Sequence, residues 1–274
     1  MEDYSSLEEE IASLEGAKVI GTIHTAEKDY PFYQVRQGKG KRKVLLSGCV
    51  HGNEQSGMHA ILAFFRGPVK AYLDSFEFVA YPCVNSFGFE HYLLEGGDGP
   101  ESYTRYDGDG LNINREFYAE SMCQEARLIL ESLDEHYAFT MDFHETDTDE
   151  EEALEGMENE PQGPASGEFY LYEVCEDISK RVGHRIVEEV EKAGIPVCKW
   201  PKIADDTNSG GVIYYPEGCG AACYASGTSF DCYLAKDHTG QAFTIEVMRG
   251  WPMERRVEAD LIALTTVLDS SRDV

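Results

Sequence analysis

The sequence predicts one α/β domain with a mixed, mostly parallel central sheet that helices cover on both faces. Apolar runs of strand length alternate with helical segments along most of the 274 residues, which is the pattern of such sheets. Runs such as KVLLSGC (43–49) and FEFVAYPC (76–83) are largely apolar and suit strands buried on both faces. Hydrophobic residues make up 42% of the chain, enough for one sizeable core, so we expect a single domain over 1–274.

The elements are predicted from periodicity and from breaker residues. In chain order, the first half predicts a helix at 5–15, strands at 18–24, 32–36 and 43–49, a helix at 56–66 and a strand at 76–83. The second half predicts a helix at 125–133, a strand at 139–144, a long helix at 168–194, a strand at 242–247 and a helix at 257–269. The Gly- and Asp-rich residues 85–114 and the acidic residues 145–168 predict irregular segments.

Composition excludes several classes of protein. The net charge of −28, from 23 basic and 51 acidic residues, argues against nucleic-acid binding, which needs a basic surface. The first ten residues are polar and acidic, unlike a secretory signal, and no apolar run is long enough to cross a bilayer. We therefore expect a soluble, cytoplasmic protein without a membrane partner, whose eight cysteines are free and mostly buried.

Unusual polar residues follow or end three of the predicted strands. His51 and Glu54 come just after one strand, His144 ends a second, and Glu246 lies near the end of a third. Ligands of α/β sheets bind at the carboxyl ends of the strands. Two histidines and a glutamate match a catalytic zinc site that leaves a fourth position for water. Alone, the His-x-x-Glu spacing fits a surface turn with a capping carboxylate at least as well.

Five segments, in order between residues 44 and 250, resemble the zinc metallocarboxypeptidase family (carboxypeptidase A/B-like). More distantly, they resemble the aspartoacylase and succinylglutamate desuccinylase branch of the same superfamily. The segments are HGNE (51–54), TRYDGDGLNINREF (104–117), DFHET (142–146), YASGTSFD (224–231) and FTIEV (243–247). The resemblance implies a carboxypeptidase-like fold and one zinc ion bound by His51, Glu54 and His144. The metal would polarise the scissile carbonyl and acidify its bound water.

The resemblance also implies roles for residues outside the metal site. Glu246 would be the general base for the water and then the proton donor to the leaving amine. Arg105 would stabilise the oxyanion. Asn114 and Arg115 would bind the terminal carboxylate of the substrate, for which the planar guanidinium is well suited. The position two before Asn114, an aspartate in the family, is Asn112 here, which could still accept a hydrogen bond from a ligand imidazole.

Two further assignments concern the substrate pocket. Tyr224 would be the mobile lid tyrosine, although aligning residues 225–227 instead puts Cys223 at that position. Phe230 would form an apolar pocket floor and would favour hydrophobic or aromatic C-terminal side chains. The acidic residues 145–160 are predicted to be a solvated loop, with two alternatives: a site for a second divalent cation, or a field that favours basic substrates.

The sequence thus predicts a zinc carboxypeptidase acting on peptides. The runner-up is an N-acyl-amino-acid amidohydrolase, which the HGNE and DFHET motifs favour. It is disfavoured by YASGTSFD and by the short chain after the last predicted strand. A non-catalytic metal- or carboxylate-binding relative is the third alternative, against which the retention of Glu246 and of all three ligands argues. The oligomeric state is left open.

Overall fold

Helices and strands alternate as the sequence predicts. The computed structural model describes residues 4–94, 106–146, 168–175, 177–203, 206–215 and 229–272. The helices are α1 (Tyr4–Ala12), α2 (Ser56–Arg66), α3 (Ser86–Leu94), α4 (Gln124–Ser132), α5 (Gly183–Lys192), α6 (Phe230–Asp237) and α7 (Met253–Arg272). Short 3-10 helices span Pro68–Ala71, Ile113–Arg115 and Ile178–Lys180. The strands are β1 (Ala17–His24), β2 (Asp29–Gly38), β3 (Arg42–Gly48), β4 (Phe76–Tyr81), β5 (Phe139–Thr146), β6 (Tyr170–Val174), β7 (Lys202–Ile203), β8 (Asp206–Thr207), β9 (Val212–Tyr215) and β10 (Ala242–Met248).

Eight strands form one mixed sheet in the order β1-β2-β4-β3-β5-β10-β6-β9, and β7 and β8 form a separate hairpin. Four neighbouring strands at the centre, β4-β3-β5-β10, run parallel. The β1–β2, β2–β4 and β10–β6 pairings are antiparallel, and β6–β9 is parallel. The predicted fold class is confirmed, and the central parallel strands bring their carboxyl ends to one edge.

Side chains of β5 alternate between the two faces of the sheet, and helices cover both. On one face, Glu145 accepts a hydrogen bond from the backbone N–H of Ser56 in α2 and pairs with Arg256 of α7. On the other face, Thr244 of β10 donates a hydrogen bond to Asp231 of α6. Asp142 is the β5 partner of Thr244, so Asp142, and with it His144, belongs to the α6 face.

The predicted helix over 168–194 is wrong in its first half. Residues 170–174 form β6 between β10 and β9, and the helix begins only at Gly183. Tyr and Val favour strands, and pairing on both sides of YLYEV outweighs the helical periodicity. The predicted loop 85–114 also contains a helix, α3. The sequence reading missed α6, β9 and the β7–β8 hairpin.

The described cysteines agree with the prediction of free, buried thiols. Cys49, Cys83, Cys123, Cys175, Cys198 and Cys232 are all buried and unbridged. Cys219 and Cys223 lie outside the described residues. Among the helices that the structure describes, none combines the length and apolar character needed to cross a membrane.

Candidate metal centre and active site

The turn after β3 carries His51 and Glu54 to the carboxyl edge of the sheet. Its first residue, Cys49, has a φ of 54°, a left-handed conformation that is uncommon for a residue other than glycine. At Gly52, a Cβ atom would lie 2.1 Å from the backbone of Gly88 in α3, so only glycine lets the turn pack this closely. The backbone N–H of Glu54 donates to the carbonyl of His51 and closes the turn. The turn is thus held by backbone contacts, and the side chains of His51 and Glu54 can meet β5.

Three donor groups converge at this edge. Nδ1 of His51 lies 2.6 Å from Oε1 of Glu54, and Nδ1 of His144 lies 2.7 Å from Oε2 of the same carboxylate. The three side chains are buried, and they offer ligand atoms that all lie within 4.8 Å of one another. The structure therefore brings together the residues for which the sequence predicts metal binding.

Asp142 holds the far side of the His144 ring. Its Oδ2 lies 2.9 Å from Nε2 of His144, and its Oδ1 accepts a hydrogen bond of 2.6 Å from Ser47 of β3. This carboxylate orients the ring so that Nδ1 points to Glu54, an arrangement common for histidines that bind metals. Sequence reasoning missed Asp142 and Ser47, although an aspartate two positions before His144 on a strand must share its face.

The electrostatics of the group call for a cation. Burial works against ionisation of Glu54, but the imidazoles of His51 and His144 hold the pKa of its carboxyl well below the usual range. Burial opposes protonation of His144, yet Asp142 and Glu54 raise the pKa of its imidazole well above the usual value. Two carboxylates around two imidazoles thus leave a buried site that favours positive charge, and the His2Glu donor set fits zinc.

Glu246 is on the strand next to His144. The two residues are register partners in the parallel β10–β5 pairing, so their side chains share a face of the sheet. Oε2 of Glu246 accepts a 2.8 Å hydrogen bond from the hydroxyl of Thr146, which itself lies 2.9 Å from the hydroxyl of Tyr170. A hydroxyl chain therefore orients this carboxylate beside the metal group. Thr146 and Tyr170 were not foreseen from the sequence.

Asn114 and Arg115 lie in the 3-10 helix that follows a tight turn. Oδ1 of Asn114 accepts a 2.9 Å hydrogen bond from the backbone N–H of Phe230 at the start of α6. The Arg115 side chain is exposed and donates to the carbonyl of Asn114. The Phe230 ring is fully buried and stacks on Phe117, with centroids 4.4 Å apart. Phe230 thus supports the segment from within the core, and its role as a pocket floor stays a prediction.

Asn112 does not make the contact expected of it. Its Oδ1 accepts a hydrogen bond from the backbone N–H of Asn114 and so caps the 3-10 helix. Nε2 of His51 has no hydrogen-bond partner among the described residues. The capping bond is local, and it competes directly with a bond to the imidazole.

Other predicted site residues lie outside the described residues. They are Arg105, Tyr224 and all but the first two positions of the acidic segment 145–160. Of those two, Glu145 is engaged by Ser56 and Arg256, and Thr146 contacts Glu246.

Comparisons with known proteins bear on the fold. No family model matches the chain, and no curated protein matches it. A chain named as a metallopeptidase from Shewanella amazonensis is similar in structure, with a TM-score of 0.69 and 18% identity, over 97% of this chain and 91% of that chain. A metallo-carboxypeptidase from Pseudomonas aeruginosa, solved with (2-guanidinoethylmercapto)succinic acid, has a TM-score of 0.62 and 16% identity, over 97% of this chain and 67% of that chain. Carboxypeptidase A from Helicoverpa armigera has a TM-score of 0.61 and 12% identity, over 98% and 70%. The chain therefore has the fold of metallopeptidases and metallo-carboxypeptidases, as the sequence resemblance predicted.

Proposed function

We propose that this protein is a zinc-dependent carboxypeptidase that hydrolyses the C-terminal amide bond of peptides. One observation carries the proposal: His51, Glu54 and His144 converge on one point, and Glu246 lies at the same level of the adjacent strand. Three protein ligands leave a coordination position open for water, as in catalytic zinc sites. Bound zinc would supply a Lewis acid and a water of lowered pKa.

Glu246 is the group that moves protons. Its carboxylate accepts the proton of the attacking water and returns it to the nitrogen of the leaving amine, so that one residue is first base and then acid. The hydrogen bond from Thr146 to Oε2 holds this carboxylate in position. The Tyr170 hydroxyl supports Thr146 in this position.

Asn114 and Arg115 provide the contacts for the terminal carboxylate. The hydrogen bond from the N–H of Phe230 fixes the Asn114 amide through its oxygen. The exposed guanidinium of Arg115 stands next to it and offers several N–H donors to a carboxylate. An arginine and an amide on one short turn can therefore orient the end of a peptide toward the metal group.

The side chain that the pocket prefers follows from two opposed features. An apolar wall near Phe230 would favour hydrophobic C-terminal residues, whereas the net charge of −28 would attract basic ones. A panel of blocked dipeptides ending in Phe, Leu, Lys and Glu separates the two. Selective release of Lys would refute the apolar-pocket hypothesis.

The test is hydrolysis of this panel by zinc-loaded protein, with N-acetyl-aspartate and N-succinyl-glutamate included. We expect release of C-terminal amino acids, and a loss of at least about a hundredfold in kcat in Glu246→Gln with the metal still bound. Glu254→Gln, an exposed change in α7, is the matched control and should keep full activity.

Two results would redirect the assignment. Turnover of only the acyl-amino acids would make the protein an amidohydrolase. No turnover of any substrate, with zinc bound in full, would contradict the proposal and favour a binding role.

A further inference from the structure

A second group of potential metal ligands lies away from the candidate active site. Asp107 follows the short bridge between Tyr106 and Asn112, and Cys123 and Glu125 lie at the start of α4. One carboxylate oxygen of each acid and the Cys123 sulfur all lie within 4.8 Å of one another. The Cys123 thiol donates to Oε2 of Glu125 at 3.4 Å.

Two oxygens in this group have no hydrogen-bond partner among the described residues. They are Oδ2 of Asp107 and Oε1 of Glu125, in side chains that are only 4% and 1% exposed. The other oxygen of Asp107 is saturated, because it accepts bonds from the backbone N–H groups of Asp109 and Leu111. A buried carboxylate oxygen without a partner is costly, so these atoms need a proton or a cation.

The charges point the same way. Asp107, Cys123 and Glu125 are all buried, and as metal ligands they would carry three negative charges between them. Burying like charges together is costly unless a cation compensates them. A divalent cation at their centre would offset two of the three negative charges.

We propose that Asp107, Cys123 and Glu125 bind a second metal ion, of the zinc type. A thiolate is a soft ligand that Ca²⁺ and Mg²⁺ avoid, whereas zinc accepts sulfur and carboxylate oxygen in one tetrahedral site. The proton of the Cys123 thiol and any proton held between the carboxylates are released to solvent when the ion binds, and the sulfur stays as a thiolate ligand. The acidic segment 145–160, for which the sequence suggested a second cation, is a different part of the chain.

The position of this site gives the ion a structural task. Asp107 opens the segment that ends at Cys123, and Asn114 and Arg115 lie between them. An ion bound at both ends would close the segment into a loop with α4 as its base. Closing a loop lowers the entropy of its open states, so the ion would hold the Asn114–Arg115 turn in place.

Cobalt(II) is the probe for this site, because a cobalt–thiolate bond gives an intense near-ultraviolet charge-transfer band. The first group, His51, Glu54 and His144, contains no cysteine. We expect cobalt-loaded wild-type protein to bind two ions per chain and to show the band. Cys123→Ser should bind one ion and lose the band, whereas Cys175→Ser, a change at another buried cysteine, should keep both.

The wild-type measurement decides the matter even if Cys123→Ser folds poorly. Binding of one ion without the charge-transfer band would overturn the proposal, as would a band that persists in Cys123→Ser. A second variant, His51→Ala with His144→Ala, should lose one ion but keep the band. Neither readout depends on hydrolysis, so failure of this proposal and failure of the proposed activity are distinguishable.

Discussion

Replacing Asp142 by Asn tests whether the metal group depends on a carboxylate that does not itself bind metal. Asp142 is 3% exposed and lies between two partners, Nε2 of His144 at 2.9 Å and the Ser47 hydroxyl at 2.6 Å. An asparagine has the same shape and can still accept one hydrogen bond, so the change removes charge with little loss of packing. The readout is the affinity of the protein for zinc.

The expected loss follows from the distance. At 2.9 Å and an effective dielectric constant of about 20, a full charge on His144 would interact with Asp142 by about 6 kcal/mol. A metal-bound imidazole is neutral and only polarised, so its interaction with Asp142 is a fraction of this energy. Changes to carboxylates that orient metal-binding histidines weaken binding roughly 10- to 100-fold, or about 1.4 to 2.7 kcal/mol. We expect Asp142→Asn to fall in this range.

The assay is competition with a chromogenic zinc chelator at neutral pH. Asp231→Asn is the matched control, because Asp231 accepts a hydrogen bond from Thr244 on the same face of the sheet. It should bind zinc as the wild type does. A zinc affinity within about twofold of wild type in Asp142→Asn, beside a strong loss in His144→Ala, would refute the idea that the Asp142 charge supports the site.

Three further outcomes are expected. Arg115→Ala should raise KM for peptides with a free C-terminus by about 10- to 100-fold, because a charge-assisted contact is worth about 1.5–3 kcal/mol. Steady-state kinetics checks this, with C-terminally amidated peptides as the comparison. Burial raises the pKa of the Asp260 carboxyl well above its usual value. Its neutral form therefore contributes to the free energy of unfolding at acidic pH, and this contribution is lost as the pH rises and the carboxyl ionises. Asp260→Asn should therefore raise the free energy of unfolding near pH 8 by about 1.4 kcal/mol per unit of pKa difference, and this gain should fade toward pH 4. Urea melts measure the gain, which should be absent in the exposed control Glu258→Gln. Chelation should lower Tm and re-addition of zinc restore it, because the ion binds the folded state, and a Tm that chelator leaves unchanged would count against the site.

Local sequence was sufficient for the centre of the sheet. The runs that form β3, β4, β5 and β10 are short, apolar and bounded by polar residues, so their type and position are confirmed. His51 and Glu54 follow β3, His144 lies near the end of β5 and Glu246 near the end of β10. The rule that ligands bind at the carboxyl ends of strands therefore predicted that these residues lie at one edge. Their chemical roles stay predictions, but the convergence of the His51, Glu54 and His144 side chains, and the pairing of Glu246 with His144 in the sheet, are observed geometry.

The misread segments depend on contacts distant in the sequence. Residues 170–174 become a strand because β10 pairs with them on one side and β9 on the other, and neither pairing is visible locally. The sequence left open a hydrogen bond from an imidazole to Asn112, but its oxygen accepts one from a backbone N–H two residues away. The group of Asp107, Cys123 and Glu125 carries no recognisable ligand spacing, and only the return of the chain at α4 assembles it.

The register of β5 connects core packing to the metal group. His144 and Glu145 are adjacent and point to opposite faces, so a slip of one residue would exchange them. Such a slip would put the Glu145 carboxylate at the metal group and would remove it from Arg256, at 2.8 Å, and from the N–H of Ser56. Phe143 also anchors this face, because a Cβ atom at Gly57 of α2 would lie 2.2 Å from the Cβ of Phe143. The buried ion pair and this close helix contact therefore fix the strand position that presents His144 to Glu54.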